Sequence, residues 1–117
     1  MPLEVWILKS CDTCRRALAW LDQLGVAYEA RDVREDGLDR DTIVRIVSAV
    51  GVDRAVNRRS TTWRNLPDAA KADLDTAAAV ALIEQHPTLL KRPAIVPNGD
   101  DRQVTVGFDA GVRNALR

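Results

Sequence analysis

Two cysteines separated by two residues, Cys11-Asp12-Thr13-Cys14, are the groups in this 117-residue chain best suited to chemistry. A C-x-x-C pair supplies a nucleophilic thiolate and a second thiol within reach of it. Before the pair runs Leu3-Glu4-Val5-Trp6-Ile7-Leu8, mostly apolar and rich in β-formers, which reads as a buried strand. After it, Ala17, Leu18, Trp20, Leu21 and Leu24 recur at helical spacing up to Gly25, a C-cap. The pair therefore falls where a strand hands over to a helix, with unpaired backbone N–H groups and the positive end of the helix dipole facing Cys11. That setting favours thiolate over thiol, and Arg15 and Arg16 add cationic charge one turn on. Strand, C-x-x-C and helix in this order form a thiol-redox signature.

Other uses of two cysteines fit less well. Zinc takes about four ligands, and outside the pair only His86 adds a nitrogen or sulfur donor, so no metal site is expected. A structural disulfide across two residues would close a loop too short to constrain the unfolded chain much. Two inert, half-buried cysteines are the remaining alternative to redox or nucleophile chemistry.

Composition narrows the setting. Hydrophobic residues make up 46% and charged residues 29%, as in a globular domain. The formal net charge is zero, which argues against a general nucleic-acid binder and gives no electrostatic reason for membrane attraction. No stretch approaches the ~18 apolar residues of a membrane span, and no basic segment followed by an apolar one marks a signal peptide. A cytoplasmic protein is expected, where a C-x-x-C stays reduced or cycles.

The elements that must hold the pair follow from the rest of the chain. Val26 to Val33 reads as a second strand, making a βαβ unit whose strands are parallel. Asp36-Gly37 marks a turn, and Asp39 or Asp41 can cap a helix with the apolar face Ile43, Val44, Ile46, Val47 and Val50, stopped by Gly51. Residues 52–74 are polar and less periodic, with Pro67 suited to the first turn of a short helix. Thr76 to Gln85 reads as an alanine-rich helix offering Ala78, Leu82 and Ile83 for burial, ended by His86-Pro87. Ala94-Ile95-Val96 and Val104-Thr105-Val106 are short β runs around Asn98-Gly99-Asp100-Asp101, a hairpin signal, and Asp109 can cap a closing helix. The predicted fold is α/β: one thioredoxin-like domain over residues 1–117 with a mixed four-stranded sheet. Its core spans about 1–35 and 88–117, and a helical insertion over about 38–87 separates the βαβ half from the ββα half.

Four segments carry a family resemblance: Lys9-Ser10-Cys11-Asp12-Thr13-Cys14-Arg15-Arg16-Ala17, Asn57-Arg58-Arg59-Ser60-Thr61-Thr62-Trp63-Arg64, His86-Pro87-Thr88-Leu89-Leu90-Lys91-Arg92-Pro93 and Val106-Gly107-Phe108-Asp109. Together they resemble the arsenate reductase/Spx family, and within it the YffB-like branch. The resemblance implies a thiol-dependent oxidoreductase with Cys11 as nucleophile, and an oxyanion or substrate pocket formed by the Arg92-Pro93 pair and by Arg58 or Arg59. It implies no bound cofactor, with glutathione as co-substrate. The implied partners are a small thiol or oxyanion substrate and glutaredoxin or thioredoxin, with no direct nucleic acid and no membrane, the chain acting as a monomer. In the mechanism this suggests, Cys11 attacks and Cys14 resolves the mixed disulfide. The rival implication is a Spx-like redox-sensing regulator that binds RNA polymerase. Two departures stand out: arsenate reductases have an arginine late in the chain where this one reads Val106-Gly107-Phe108-Asp109, and Cys14 is a feature of the Spx-type members. X–Pro bonds in folded proteins are cis in only about 5–6% of cases, yet the thioredoxin-like reading places Arg92-Pro93 against the redox centre and predicts a cis bond there. Trp6 and Trp20 are read as core residues, Trp63 as packing the insertion onto the sheet, His86 as a helix-end residue, and Asp32, Glu35, Asp36, Asp39 and Asp41 as solvated turn and cap charge.

Overall fold

The computed structural model describes residues 3–97 and 101–116. Strand β1 (Leu3–Ile7) leads into helix α1 (Asp12–Leu24), which returns to strand β2 (Tyr28–Asp32). β1 and β2 are parallel, in register from Leu3 opposite Tyr28 to Ile7 opposite Asp32. The second strand starts later than its apolar run suggests, and the helix end explains why. Gly25 takes the left-handed conformation at φ 70°, its N–H goes to the Asp22 carbonyl, and the Val26 N–H goes to the Leu21 carbonyl. This is a Schellman closure, and it consumes the amide that Val26 would bring to a ladder.

Between β2 and the next strand lie helices α2 (Arg40–Val50), α3 (Val52–Ala55), α4 (Thr61–Asn65), α5 (Asp68–Lys71) and α6 (Thr76–Gln85). Strands β3 (Ala94–Val96) and β4 (Thr105–Val106) then complete a mixed sheet in the order β2-β1-β3-β4, with β3 antiparallel to both neighbours. Helix α7 (Ala110–Leu116) closes the chain, and the Asp109 carboxylate accepts the Val112 N–H as its cap. The four strands and their helices form the thioredoxin-like sheet that the element order predicts. Of the expected hairpin turn, residues 98–100 lie outside the described residues.

Alternation along β1 builds two cores. Val5 and Ile7 face α1 and pack with Cys14, Leu21 and Ile95, and Leu116 of α7 leans on the same cluster. Trp6, on the opposite face, packs with Ile43, Ile46 and Val47 of α2 and Val80 and Ile83 of α6. β3 is buried throughout, as an apolar strand covered on both faces should be. The exposed edge strand β2 carries charge instead: Arg31 pairs with Glu29 at 2.8 Å and Glu4 at 3.4 Å.

Two helix faces differ from the sequence reading. Val44 is 40% exposed, because at about 100° per residue it stands well around the helix from the Ile43, Ile46, Val47 and Val50 stripe. In α6 the buried residues are Ala79, Val80 and Ile83, with Ala78 and Leu82 only half-buried. Its run of alanines and aliphatics is apolar all round, so the sequence carries no phase. Pro67 immediately precedes α5, at its N-cap, and the polar stretch 52–74 resolves into three short helices. Trp63 is half-buried against the larger core, as expected of a residue packing this segment down. Among the described residues no helix is long and apolar enough to cross a membrane.

Candidate active site

β1 ends at Ile7, and Leu8 to Ser10 turn the chain so that Cys11 becomes the N-cap of α1, its backbone extended at φ −89° and ψ 115°. The Cys11 N–H bonds to the Leu8 carbonyl at 2.9 Å, and the Cys11 carbonyl accepts the Arg15 N–H at 3.1 Å. A capping side chain receives an orphan amide of the first turn, and here that acceptor is sulfur: the Cys14 N–H points at Cys11 Sγ, 3.3 Å away. Both cysteines are free thiols; Cys11 is half-buried and Cys14 fully buried. Burial pushes the Cys14 thiol up to about 12, helped by its side-chain hydrogen bond with Cys11, while the charge of Arg92 acts the other way.

A residue of the acidic group holds this loop. Asp32, expected as a solvated charge, is only 3% exposed at the end of β2. One carboxylate oxygen accepts the Lys9 N–H at 3.0 Å, and the other accepts those of Arg34 at 2.7 Å and Glu35 at 3.0 Å. Burial alone would raise its pKa, but these backbone donors, with the charge of Lys9, outweigh burial and hold the carboxyl below its ordinary value. Asp32 thus ties the chain leading into Cys11 to the neighbouring strand. A depressed carboxyl contributes its stability in full above the unfolded value of about 3.9 and loses it as the pH falls through the folded value. Asp32→Asn places an amide donor against one of those N–H groups, at an expected cost of about 1.5–3 kcal/mol at neutral pH. Denaturant titrations near pH 7 and near pH 3 check this: the wild type should lose more stability between them than the variant, and equal losses would assign the acid transition elsewhere.

The opposite wall comes from a long-range contact. Val56 and Leu90 form an antiparallel bridge, flanked by the Asn57 N–H to the Leu89 carbonyl at 2.7 Å and the Lys91 N–H to the Ala55 carbonyl at 2.8 Å. This short ladder sets residues 57–59 beside residues 91–93. The Arg92-Pro93 bond is cis, as the sequence reading predicts. Pro93 is buried, and its carbonyl receives the Gly107 N–H at 3.0 Å. Arg92 Nη1 donates to the Thr88 carbonyl at 2.9 Å, and the Thr88 hydroxyl is bonded to that of Thr62 at 2.8 Å. The Nε–H of Arg92 is buried and has no hydrogen-bond acceptor among the described residues.

These pieces enclose an open cavity of about 270 Å³ lined by Cys11, Asn57, Arg59, Lys91, Arg92 and Gly107, with Thr13 and Phe108 at its margin. Among the described residues no carboxylate lines it. Arg59 and Lys91 form no ion pair among the described residues, and both line the opening. Arg58 is placed differently: it lies on an adjoining cavity of about 230 Å³, bound to Asp53 at 2.9 Å and stacked over Trp63. Arg15 and Arg16, expected to lend charge to Cys11, are exposed and turned to Asp12 and Thr13 instead. Their place is taken by Arg59, Lys91 and Arg92. Of the residues singled out in the sequence, the structure gathers Cys11, Arg59 and Arg92 around one opening, sets Cys14 and Pro93 beneath it, and leaves Arg58 outside. Lys91, Asn57, Gly107 and Asp32 were missed. Lys91 borders Arg92 in sequence but looks like any solvated lysine, and Asp32 looks like its acidic neighbours. His86 caps the end of α6, as expected. Among the described residues no group of three or more His, Cys, Asp or Glu could hold a metal ion.

The family model described as the ArsC family matches residues 6–115. A protein of Haemophilus influenzae, described as uncharacterized, is 38% identical over 107 residues, spanning 92% of this chain and 91% of its own. The global transcriptional regulator Spx of Streptococcus mutans is 29% identical over 109 residues, covering 92% of this chain and 77% of the regulator. Among solved structures, a YffB protein superposes with a TM-score of 0.87 at 36% identity, over 98% of this chain and 99% of its own.

Proposed function

The chain belongs to the ArsC family, and on that premise we propose that it is a thiol-dependent reductase in which Cys11 is the nucleophile and glutathione or another small thiol the reductant. The observation that carries this reading is the setting of Cys11: a capping sulfur that receives a backbone N–H and opens on a cavity walled by Arg59, Lys91 and Arg92. The Cys11 thiolate attacks one sulfur of a substrate disulfide; the S–S bond breaks and the other sulfur leaves as a thiolate. Cys14 then loses its proton, its sulfur attacks the mixed disulfide at Cys11, and the rest of the substrate departs reduced. Two external thiols return the Cys11–Cys14 pair to its starting state, becoming a disulfide themselves.

Cys14 fits the second step through its position. One influence that holds its proton is the bond to Cys11, and that bond is lost once Cys11 carries the substrate. Arg59 and Arg92 orient an anionic substrate. A turnover panel with glutathione, thioredoxin and arsenate, run on the wild type, Cys11→Ser and Cys14→Ser, tests the proposal. Activity with a thiol reductant that vanishes in Cys11→Ser supports it, and activity that survives Cys11→Ser rejects it.

Arsenate turnover is expected to be poor. A tetrahedral oxyanion is held best by several planar guanidinium forks, and the late position where arsenate reductases have an arginine falls here on Gly107 and its neighbours. One missing charged hydrogen bond, about 1.5–3 kcal/mol, lowers affinity roughly tenfold to more than a hundredfold. A coupled assay at millimolar arsenate checks it; vigorous reduction would show that the cations present suffice.

A second reading has its own support: two free thiols at adjacent turns of one helix start, with the Cys14 N–H on the Cys11 sulfur, together with the similarity to Spx, make a redox-sensing regulator the alternative. Oxidation-dependent retention of purified RNA polymerase by the tagged chain, without thiol turnover, would favour it.

A further inference from the structure

Gly107 follows β4 with a positive φ of 82°, and a Cβ built on it would lie 3.2 Å from Lys91 Cε and 3.9 Å from Cδ. The stem of Lys91 is therefore laid across the bare backbone of Gly107, which a side chain would obstruct. Its backbone is fixed independently by the bond from its N–H to the Ala55 carbonyl. The ammonium group thus comes from a constrained position, although the residue is exposed.

Lys91 also lines both openings, the cavity at Cys11 and the adjoining one beside Arg58. Arg59 shares both openings with it but lacks the seat over Gly107, and the remaining cations are already engaged. Arg58 is bound to Asp53, and one Arg92 nitrogen is committed to the Thr88 carbonyl. Lys91 forms no ion pair among the described residues, and its charge is one of the influences that lower the Asp109 pKa.

We propose that Lys91, carried over Gly107, is a charge-selecting residue of this site beside Arg59 and Arg92: it favours small sulfur substrates bearing a carboxylate or similar anion over neutral ones. This rests on Cys11 being the nucleophile. A substrate sulfur at Cys11 would hold its anionic group toward the junction of the two cavities, where the Lys91 ammonium attracts it. A lysine is a point charge on a flexible stem with no fixed fork, so it selects for charge without demanding a particular anion shape.

The test compares two chromogenic disulfides on the reduced, full-length protein: dithiobis(nitrobenzoate), which is dianionic, and dithiodipyridine, which is neutral. In each, the Cys11 thiolate forms a mixed disulfide and one coloured thiolate or thione leaves with the electron pair. Second-order rates are measured for the wild type, Lys91→Met and Lys91→Arg. Lys91→Met should lower the ratio of the anionic to the neutral rate by about threefold to tenfold, the size expected of one charge several ångströms away in a partly screened site. Lys91→Arg should restore most of it, and high salt should shrink the difference. Equal slowing with both probes would mean that Lys91 acts on Cys11 itself and would overturn selection; an unchanged ratio would overturn it too. Failure of the neutral probe to modify Cys11 in the wild type would instead reject Cys11 as the nucleophile.

Discussion

Cys11→Ser is expected to abolish thiol turnover, by on the order of 10³-fold or more, as loss of a nucleophile generally does. Cys14→Ser should leave the first attack intact and stop the cycle at a mixed disulfide on Cys11. The asymmetry follows from burial. Cys11 is half-buried at the mouth of the cavity, whereas Cys14 is 0% exposed with its thiol pushed up to about 12. At neutral pH that leaves Cys14 overwhelmingly as the thiol, and the thiolate is the reactive form. Iodoacetamide on the folded protein should therefore add one carbamidomethyl group, at Cys11, and a second only after denaturation. Intact mass spectrometry reads both numbers. Prompt double labelling of the native chain would show that Cys14 opens to solvent. Turnover of Cys14→Ser at the wild-type rate in excess glutathione would show that the external thiol resolves Cys11 and that Cys14 serves another purpose, such as sensing oxidation.

What the sequence made legible was local. The strand from Leu3, the pair at Cys11 and Cys14, and the helix closed by Gly25 are all specified by residues near one another in the chain. The parallel β1–β2 pairing followed, because a short βαβ connection leaves one handed arrangement. The far wall of the site was not legible to the same depth. Arg58 and Arg59 are adjacent and chemically identical, and only the bridge between Val56 and Leu90, thirty-four residues apart, turns Arg59 toward Cys11 and Arg58 toward Asp53. Asp32 was hidden for a related reason. Nothing in Asp32-Val33-Arg34-Glu35-Asp36 marks one carboxylate as buried, and its role depends on Lys9, twenty-three residues earlier. Gly107 stood in a stretch, Val106 to Asp109, that read only as holding no basic residue. With the chain folded, the space it leaves is crossed by the stem of Lys91.

Arg92→Ala is the second large effect expected, and it should act on both halves of the cycle. The residue is fixed on one side through Nη1 and Thr88, which is itself held by Thr62. On the other side it lines the Cys11 cavity, and its Nε–H is buried with no acceptor among the described residues. The guanidinium thus stands at the cavity wall, where it can bond an anionic group of the substrate. Loss of a charged hydrogen bond of about 1.5–3 kcal/mol should lower kcat/KM with an anionic disulfide roughly tenfold to more than a hundredfold. Arg92→Lys should recover only part, because an ammonium cannot bond Thr88 and the substrate through one rigid plane. The second effect is on Cys14. Arg92 is the charge that works against its raised pKa, so removing the guanidinium should raise that pKa further and slow the intramolecular step. The steps separate cleanly: the first is the rate at which a substrate disulfide modifies Cys11, the second the rate at which a preformed mixed disulfide releases its thiol. If Arg92 only binds substrate, the first alone falls. If it also tunes Cys14, release slows as well, and raising the pH should restore release before it restores binding. A variant that leaves both rates unchanged would remove Arg92 from the site altogether.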